Sequence, residues 1–424
     1  MTEKIFHSVA LDKNLCTGCT NCIKRCPTEA IRIVKGKAKI SNRCIDCGEC
    51  IRICPQHAKS ATSSSLDEIK NFKIKVAIPA PALFGQFNNL DDIDIVLTGL
   101  QKVGFDYIYE VSRAAELISE ATRKLIAQDK LKKPIISSAC PAVLRLIKIR
   151  FPELCDNVLP LLAPMELAAR IARKEVLSKT GCSNEDIGVF FITPCPAKVT
   201  EIHSPVTEKE SACNGAIAIS KIYPQLTHEM DHLKVVEPLA KSGLIGVGWA
   251  SSGGESAAML GDKYLAADGI ENVIRVLEEL EDERITNVEF VELNACNGGC
   301  VGGVLNVENP YVAQARIQNL RKYLPVSLNH IESDTFDEMM RESSVEFDPK
   351  IFRLDDDLSE ALNKMEKMEN IIKQLPGLDC GCCGAPTCKA LAEDIVRGEA
   401  KKTDCIHLLR KNIEKVYHQL KDSL

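Results

Sequence analysis

Histidine is the residue whose scarcity says most about this chain. Only 8 of the 424 residues are histidine, and none stands at the cysteine/histidine spacing of a zinc finger. Basic residues are not in excess, since the formal net charge is −6 at pH 7, which gives no field for nucleic acid. No apolar run approaches the roughly 20 residues that span a bilayer, and residues 1–4 do not begin a signal peptide. These absences predict a cytoplasmic protein without nucleic-acid or membrane partners.

Cysteine, by contrast, is abundant. The chain has 20 cysteines, and in a reducing compartment clustered cysteines indicate metal binding more often than disulfides. Sites rich in sulfur and poor in imidazole favour iron-sulfur clusters, although zinc held by four cysteines is an alternative. A length of 424 residues predicts two to four domains.

Two copies of one cysteine motif occupy the N-terminal segment. Each reads Cys-x2-Cys-x2-Cys-x3-Cys-Pro, with the cysteines at Cys16, Cys19, Cys22 and Cys26 and then at Cys44, Cys47, Cys50 and Cys54. Three cysteines at such gaps hold one cubane, and the fourth ligates the neighbouring cluster. The spacing therefore predicts one 4Fe-4S cluster on Cys16, Cys19, Cys22 and Cys54, and another on Cys44, Cys47, Cys50 and Cys26. Residues 1–65 resemble a bacterial two-cluster ferredoxin and end in a serine-rich linker.

The central region alternates apolar, strand-like runs with helical patterns. The strand candidates are residues 75–79, 107–111, 135–138, 187–193, 244–249 and 288–293, and the helix candidates include 93–103, 114–127, 142–150, 164–178 and 272–280. This alternation predicts an α/β domain with mostly parallel sheets flanked by helices. Ligands in such folds bind at the carboxyl ends of strands. Cys140, Cys195 and Cys296 each follow a predicted strand, which predicts a shared site.

Three motifs around these cysteines carry a resemblance to a known family. They read Ser137-Ser138-Ala139-Cys140-Pro141, Thr193-Pro194-Cys195-Pro196-Ala197-Lys198 and Glu292-Leu293-Asn294-Ala295-Cys296-Asn297-Gly298-Gly299-Cys300. Their order and internal spacing resemble the signature motifs of the iron-iron (FeFe) hydrogenases over roughly residues 1–330. The resemblance implies a hydrogenase domain at 72–335 that cleaves or forms H2 and exchanges protons.

The same resemblance implies an H-cluster, in which a 4Fe-4S cubane shares one cysteine with a two-iron unit bearing CO, cyanide and azadithiolate. Maturation proteins insert the two-iron unit in this family. By motif position the cubane ligands are Cys140, Cys195, Cys296 and Cys300, with Cys300 as the bridge. By motif position Lys198 matches the family's lysine that hydrogen-bonds a cyanide, whereas a lysine outside such a motif is usually a surface residue. A buried ammonium needs an anionic partner, which a cyanide would supply.

Several residues depart from the family's highly active members. Ala139 replaces a cysteine that passes protons, and a methyl group cannot donate or accept a proton. Of two glutamates on the family's proton path, Glu120 is kept and the second aligns with Arg123. Thr193 and Asn294 replace methionines. Trp249, the one tryptophan, stands in a segment that resembles one lining the cluster in the family, and it is either a residue near the cluster or an ordinary core residue. These departures resemble the sensory branch and predict slow turnover.

The C-terminal region is divided into two parts by its composition. Residues 336–374 read as a connector and an amphipathic helix, whose apolar positions are Leu358, Ala361, Met365, Met368, Ile372 and Leu375. That helix either packs on its own domain or forms a homodimer contact. Residues 375–424 resemble a small 4Fe-4S domain of corrinoid proteins and electron-transfer complexes, and by the family pattern the ligands are Cys380, Cys383, Cys388 and Cys405. Cys382 is an additional cysteine.

The resulting hypothesis is an FeFe hydrogenase of low activity that senses H2 or redox state. Its cofactors are an H-cluster and three accessory 4Fe-4S clusters, and its partner is a redox protein or a signalling protein such as a kinase or phosphatase. Two alternatives lack the two-iron unit: a hydrogenase-like iron-sulfur assembly protein and a plain electron-transfer protein. The complete N-terminal motifs, Lys198, Glu292 and Cys300 favour the hydrogenase over the assembly protein.

Overall fold

The computed structural model describes residues 6–332, 336–347 and 349–422, so the prediction made for residues 1–4 lies outside the described residues. The strands of this part are β1 (Val9–Leu11), β2 (Ile31–Val34), β3 (Lys37–Ile40), β4 (Lys59–Ala61), β5 (Ile74–Pro79), β6 (Tyr107–Ile108), β7 (Ile135–Ile136), β8 (Ile187–Thr193), β9 (Gly215–Ala218), β10 (Tyr264–Asp268) and β11 (Phe290–Asn294).

Helices are more numerous than strands in the same ranges. The α-helices are α1 (Asn21–Lys24), α2 (Glu49–Arg52), α3 (Ile93–Val103), α4 (Val111–Ala127), α5 (Pro141–Arg150), α6 (Pro164–Thr180), α7 (Pro196–His203), α8 (Ile219–Asp231), α9 (Leu244–Gly248), α10 (Gly254–Ala257), α11 (Ile270–Glu281), α12 (Pro310–Arg321), α13 (Leu358–Gln374), α14 (Cys388–Val396) and α15 (Ile406–Asp422). Among the described residues, every helix is too short or too polar to cross a membrane.

The chain folds as two compact units. The first holds the described residues of 1–9, 45–48 and 61–347, and the second those of 10–44, 49–60 and 348–424. The ferredoxin-like motifs and the C-terminal cysteine segment thus share the second unit, apart from residues 45–48. The domain boundaries predicted from the sequence stay a prediction.

Two parallel sheets form the framework of the first unit. One has the strand order β6-β5-β8-β9 and the other β10-β11-β7, with Val76 opposite Val189 in the first and Val291 opposite Ile136 in the second. Every residue of β8 is buried, because helices cover both faces of a parallel sheet and leave a continuous apolar run. The predicted α/β class with parallel sheets is confirmed.

Proline determines where helices begin beside these sheets. α5, α6 and α7 start at Pro141, Pro164 and Pro196, because proline lacks the N–H that a first-turn residue leaves unbonded anyway. The residues before the first and third of these prolines are Cys140 and Cys195, which therefore occupy the N-cap positions of α5 and α7. The sequence pattern thus fixes both thiols at the junction between a strand and a helix.

One predicted strand is wrong. Residues 244–249 were expected to be extended, but Leu244–Gly248 form α9. Short apolar runs do not distinguish a strand from a buried helix, and here glycine decides, because a Cβ on Gly246 would lie 2.1 Å from the carbonyl oxygen of Ser112. The close approach of α9 to α4 needs a residue without a side chain. The short strands β9 and β10 were not predicted.

The second unit contains small elements around its cysteines. β2 and β3 form an antiparallel hairpin in which Ile31 lies opposite Ile40, and the turn uses the left-handed conformation at Lys35 and Gly36. α13 packs by its C-terminal half, since Ile371 is buried while Leu358 is 76 % exposed. The helix therefore packs on its own segment at one end, and the homodimer contact stays a prediction.

Candidate metal centre

Four cysteines from distant parts of the first unit line one cavity of about 820 Å³. Cys140 follows β7, Cys195 follows β8 and Cys296 follows β11, while Cys300 opens a short 3-10 turn. Because parallel strands end at the same edge of a sheet, the carboxyl ends of β5, β7, β8 and β11 all supply lining residues. The structure therefore brings the four cysteines predicted for the cubane together.

The thiols of this cavity suit a metal better than solvent. Burial, reinforced by Cys140, raises the pKa of Cys195 to about 11, and burial with Cys195 nearby raises the pKa of Cys300 to about 12. Thiols with such pKa values are protonated at neutral pH, and a bound metal is what stabilises their thiolate form. The donor set fits an iron-sulfur cluster.

Glycines allow the loop after β11 to close over the cavity. Gly299 has a φ of +86°, and a Cβ there would lie 2.4 Å from the backbone nitrogen of Ser252. A Cβ on Gly303 would lie 2.2 Å from the carbonyl oxygen of Pro194. Only glycine permits both approaches, so the glycines around Cys300 hold that ligand against the segments carrying Trp249 and Cys195.

Lys198 provides the charge of the cavity. It lies in the first turn of α7, is 8 % exposed, and lines the cavity. Its Nζ donates a hydrogen bond of 2.7 Å to the carbonyl oxygen of Ala139, the one acceptor that the described residues offer it. A buried ammonium with a single neutral acceptor is incompletely compensated, so the site has room for an anionic group beside Lys198.

Most of the remaining wall is apolar. Ala139, Pro81 and Met165 are among the apolar residues that line it. Trp249 also lines it, and its Nε1 donates to the Ser119 hydroxyl at 3.0 Å, which fixes the indole. The structure therefore places Trp249 at the cavity, where it also packs against the core of the first unit.

A buried carboxyl group in this wall was missed by the sequence analysis. Glu255 is the second residue of α10, directly after Gly253 and Gly254, and it lines the cavity. Its Oε2 accepts a bond of 2.6 Å from the Ser137 hydroxyl, whereas its Oε1 has no partner among the described residues. An acidic residue directly after two glycines in a cluster-lining segment was the signal in the sequence.

Glu255 has a second glutamate as its neighbour. Glu292 accepts hydrogen bonds from the backbone of Gly253 and Ser256 and from the Asn294 amide, at 2.8 to 3.0 Å. Burial and then the charge of Glu292 raise the pKa of Glu255 well above its ordinary value. Burial raises the pKa of Glu292 too, but its three N–H donors favour the charged form. The proton of the pair therefore resides on Glu255.

Glu120 and Arg123, compared above with the family's proton path, do not line the cavity. Glu120 pairs with Lys124 at 2.8 Å and accepts from the Ile331 backbone at 3.2 Å. Burial would raise the pKa of Glu120, but these hydrogen bonds outweigh it and leave the pKa lowered. Arg123 donates to the carbonyl oxygen of Ala258 at 2.5 Å. Both side chains are held in local structural contacts.

Residues 45–48, which carry Cys47, pack within the first unit. Asp46 accepts from the backbone of Val9 at 3.0 Å, and Ser8 donates its hydroxyl to the carbonyl oxygen of Pro196 at 2.8 Å. A Cβ on Gly48 would lie 2.7 Å from the Val304 side chain. The loop of Cys47 therefore lies beside the segments that follow Cys195 and Cys300.

The second unit has two smaller cysteine-lined pockets. Cys16, Cys19, Cys22 and Cys54 line one of about 340 Å³, and Cys380, Cys383, Cys388 and Cys405 line another of about 290 Å³. Each pocket gathers one complete predicted ligand set, and Cys382 is not among the lining residues. The remaining set, Cys26, Cys44, Cys47 and Cys50, stays a prediction.

Three family models match this chain. The model described as the iron-only hydrogenase large subunit, C-terminal domain, matches residues 73–260 and 251–304, a 4Fe-4S dicluster model matches 8–55, and an Fe-S cluster model matches 375–407. Iron-sulfur binding and electron transfer are thereby supported for the chain, and the resemblance seen in the three cysteine motifs is confirmed.

Individual relatives agree with these models. The chain is 22 % identical over 214 residues to the NADP-reducing hydrogenase subunit HndD of Solidesulfovibrio fructosivorans, and this match covers 48 % of the chain and 33 % of the relative. It is 24 % identical over 168 residues to iron hydrogenase 1 of Clostridium pasteurianum, covering 36 % of the chain and 29 % of the relative. The matches thus span about a third of these relatives. A solved FeFe hydrogenase structure, HydA(deltaEFG), shares the fold with a TM-score of 0.51 at 16 % identity, over 66 % of this chain and 97 % of that one.

Proposed function

The chain belongs to the iron-only hydrogenase large-subunit family, and from this we propose that it is an FeFe hydrogenase-type protein. The proposed reaction is the interconversion of H2 with two protons and two electrons, at a low rate. The proposed role is to report H2 or redox state to a partner protein, as in the sensory branch of the family.

The size of the hydrogenase cavity is the observation that carries this proposal. Its space of about 820 Å³, counted together with the open mouth, is more than twice that of the pockets around the other two four-cysteine sets, about 340 and 290 Å³ counted in the same way. A cubane alone does not require so much more room. Lys198, which has no ion pair with the described residues, lines this cavity, and most of the other lining side chains are apolar. These features fit an H-cluster.

Different residues of the cavity would bind different parts of that cofactor. Cys140, Cys195, Cys296 and Cys300 would hold the cubane, with Cys300 shared with the two-iron unit, and Lys198 would donate a hydrogen bond to a cyanide ligand. Trp249 would exclude water from one side. When bound, the cofactor supplies an open iron site at which H2 is split heterolytically, and the protein supplies position, charge and protons.

Proton handling is where this chain differs from fast hydrogenases. Ala139 has no group that exchanges a proton, and Glu120 lies outside the cavity lining. Glu255 is the lining carboxyl group that holds a proton, and its Oε1 has no hydrogen-bond partner among the described residues. We propose that this carboxyl replaces the missing thiol as the proton donor and acceptor. A group with a strongly raised pKa releases its proton reluctantly at neutral pH, which agrees with slow turnover.

Electrons would reach the cavity through the accessory clusters. The loop of Cys47 lies in the first unit and packs beside the residues that follow Cys195 and Cys300, which supports Cys47 as a member of the electron path. The clusters on Cys16, Cys19, Cys22 and Cys54 and on Cys380, Cys383, Cys388 and Cys405 would continue the path to a redox or signalling partner.

Maturation of the full chain with the two-iron cofactor tests the assignment. We expect CO and cyanide stretching bands in the infrared spectrum, together with H2 oxidation that is slow but measurable. Ala139→Cys should increase the rate of H2 oxidation roughly 10-fold or more, because a positioned proton-transfer group contributes about 10²–10⁴-fold. A wild type as fast as established hydrogenases would contradict the sensory role.

Two other functions would give a different spectrum. An iron-sulfur assembly protein or a plain electron-transfer protein would bind 4Fe-4S clusters but show no CO or cyanide bands after maturation. Either outcome would remove the hydrogenase assignment while leaving the iron-sulfur centres intact. The thiolates of Cys195 and Cys300 would attract the Lys198 ammonium in all three proteins, so the infrared bands and not this charge distinguish the functions.

A further inference from the structure

The C-terminal cysteine segment and the first ferredoxin-like motif contact each other at their cluster-binding turns. Ile23 and Lys24 directly follow Cys22, and Gly381 directly follows Cys380. A Cβ on Gly381 would lie 2.9 Å from Lys24 Cε and 3.4 Å from Ile23 Cδ1. The residues next to one ligand of each cluster are therefore in van der Waals contact.

A backbone hydrogen bond makes a second connection of the same kind. The Ile33 N–H donates to the carbonyl oxygen of Gly384 at 2.8 Å. Ile33 lines the pocket of Cys16, Cys19, Cys22 and Cys54, and Gly384 directly follows Cys383. Gly384 has a φ of +88°, and a Cβ on it would lie 2.3 Å from the Ile33 carbonyl oxygen, so this approach requires glycine.

Two ion pairs hold the segments together around these contacts. Arg32 donates to Asp394 at 2.6 Å, and Arg43 donates through both terminal nitrogens to the Glu393 carboxylate. The four side chains are only 13 to 16 % exposed, so salt screens these pairs less than surface pairs. Arg43 also lies 4.8 Å from the centre of the Phe352 ring. Arginine in a two-pronged contact defines one orientation of its partner.

We infer that the C-terminal cluster and the cluster on Cys16, Cys19, Cys22 and Cys54 form a directly coupled electron-transfer pair. The C-terminal segment is then a docked extension of the ferredoxin-like relay and not an independent appendage. Transfer within the pair oxidises one cluster and reduces the other by one electron, with no bond made or broken. The inference rests on the proposed accessory clusters, but not on the H2 reaction.

Electron paramagnetic resonance of the reduced full chain tests the coupling without any activity measurement. The protein is prepared without the two-iron unit, and Cys388→Ser removes the C-terminal cluster. Coupling predicts that the wild-type spectrum minus the Cys388→Ser spectrum is that of an interacting, broadened pair. A difference spectrum equal to one isolated reduced cluster would overturn the inference.

A pair of glycine variants then tests the contact itself. Gly384→Ala places a methyl group against Ile33, whereas Gly377→Ala, also at a positive φ of +68°, meets no atom within 4 Å. At equal iron content, we expect Gly384→Ala to lose the broadening and Gly377→Ala to keep it. Retention of the full broadening in Gly384→Ala would contradict the role of this contact.

Gly384→Ala would also lose the broadening if it lost the C-terminal cluster, so variants on the ferredoxin-like side of the contact are needed as a second test. The double variant Arg32→Ala, Arg43→Ala leaves the C-terminal sequence unchanged and removes both ion pairs. We expect it to weaken the broadening, while Lys39→Ala, at an exposed position of the same hairpin, leaves it unchanged. If the Arg32/Arg43 double variant and Lys39→Ala both gave the wild-type spectrum, the docking would not determine the coupling.

Discussion

The hydrogenase cavity and the C-terminal pocket each gather four cysteines, but the chain builds them in opposite ways. The C-terminal ligands lie within residues 380–405, around α14, and enclose about 290 Å³. The cavity ligands come from the ends of β7, β8 and β11 and line a space of about 820 Å³ that includes its open mouth. A local motif produces a pocket sized for a cluster, whereas convergent strand ends leave additional space whose walls can be made chemically specific.

The two regions also differ in access to solvent. Cys380 and Cys382 are exposed, which suits a cluster that exchanges electrons with another protein. Burial instead raises the pKa of Cys195 to about 11 and of Cys300 to about 12, which suits chemistry that excludes water. Under the proposed function, the exposed C-terminal centre would serve electron exchange and the buried cavity the H2 reaction.

Removing one ligand from each region gives the largest expected effect. Cys300→Ser should abolish loading of the two-iron unit, because that residue is the proposed bridge, so the CO and cyanide bands should be absent after maturation. Cys388→Ser should keep those bands and lose only the C-terminal cluster. Infrared spectra and iron content of both variants measure this. Bands of full intensity in Cys300→Ser would show that the cavity does not use this cysteine.

The next effect concerns proton transfer at the cavity. Glu255→Gln keeps the shape of the side chain but removes its exchangeable acid, so H2 oxidation should fall about 100-fold with unchanged infrared bands. Glu120→Gln is the matched control, since that carboxylate pairs with Lys124 and is not among the residues lining the cavity. It should change the rate less than twofold. A larger loss in Glu120→Gln than in Glu255→Gln would reassign the proton path to α4.

The sequence allowed good prediction of ligands and poor prediction of their surroundings. Cysteine spacing predicted the two N-terminal ligand sets because cluster geometry constrains it, and the resemblance implied the other two. Pro141 and Pro196 mark the helix starts that position Cys140 and Cys195. Glu255 was missed because its importance arises from burial and from the proximity of Glu292, which depend on tertiary packing. The helix at Leu244–Gly248 was missed for the same reason, since its contact with Ser112 is non-local.

Stability of the cofactor-free protein should depend on pH with opposite signs in the two regions. Glu255 keeps its proton when folded, whereas the unfolded chain releases it above about pH 4.5. Above that pH the folded state binds one more proton than the unfolded chain. The free energy of unfolding of the first unit therefore falls as pH rises, by up to about 1.4 kcal/mol per pH unit. Burial would raise the pKa of Glu393, but Arg43 outweighs it and lowers the pKa, so its contribution is present above pH 4.5 and lost as pH falls.

Urea unfolding at several pH values measures the first of these effects, because Trp249 is the one tryptophan and lies in the first unit. Glu255→Gln should flatten the decline with pH. Hydrogen exchange of the α14 amides reports the second, where Glu393→Gln should remove the rise in protection above pH 4.5. If Glu255→Gln left the slope seen by Trp249 unchanged, the buried proton would belong to another group.

The smallest expected effect concerns Lys198 in the hydrogenase cavity. Among the described residues, no lysine lines the C-terminal pocket. In the cofactor-free cavity its ammonium has one neutral acceptor, so Lys198→Met should raise the free energy of unfolding by about 1 kcal/mol while weakening retention of the two-iron unit. Lys124→Met, at a side chain 48 % exposed, should stay within about 0.5 kcal/mol of wild type. Trp249 fluorescence in urea measures both. Breaking a compensated buried ion pair lowers the free energy of unfolding by about 3–5 kcal/mol. A decrease of that size in Lys198→Met would mean that the protein itself neutralises Lys198. The charge of Lys198 would then not require an anionic ligand.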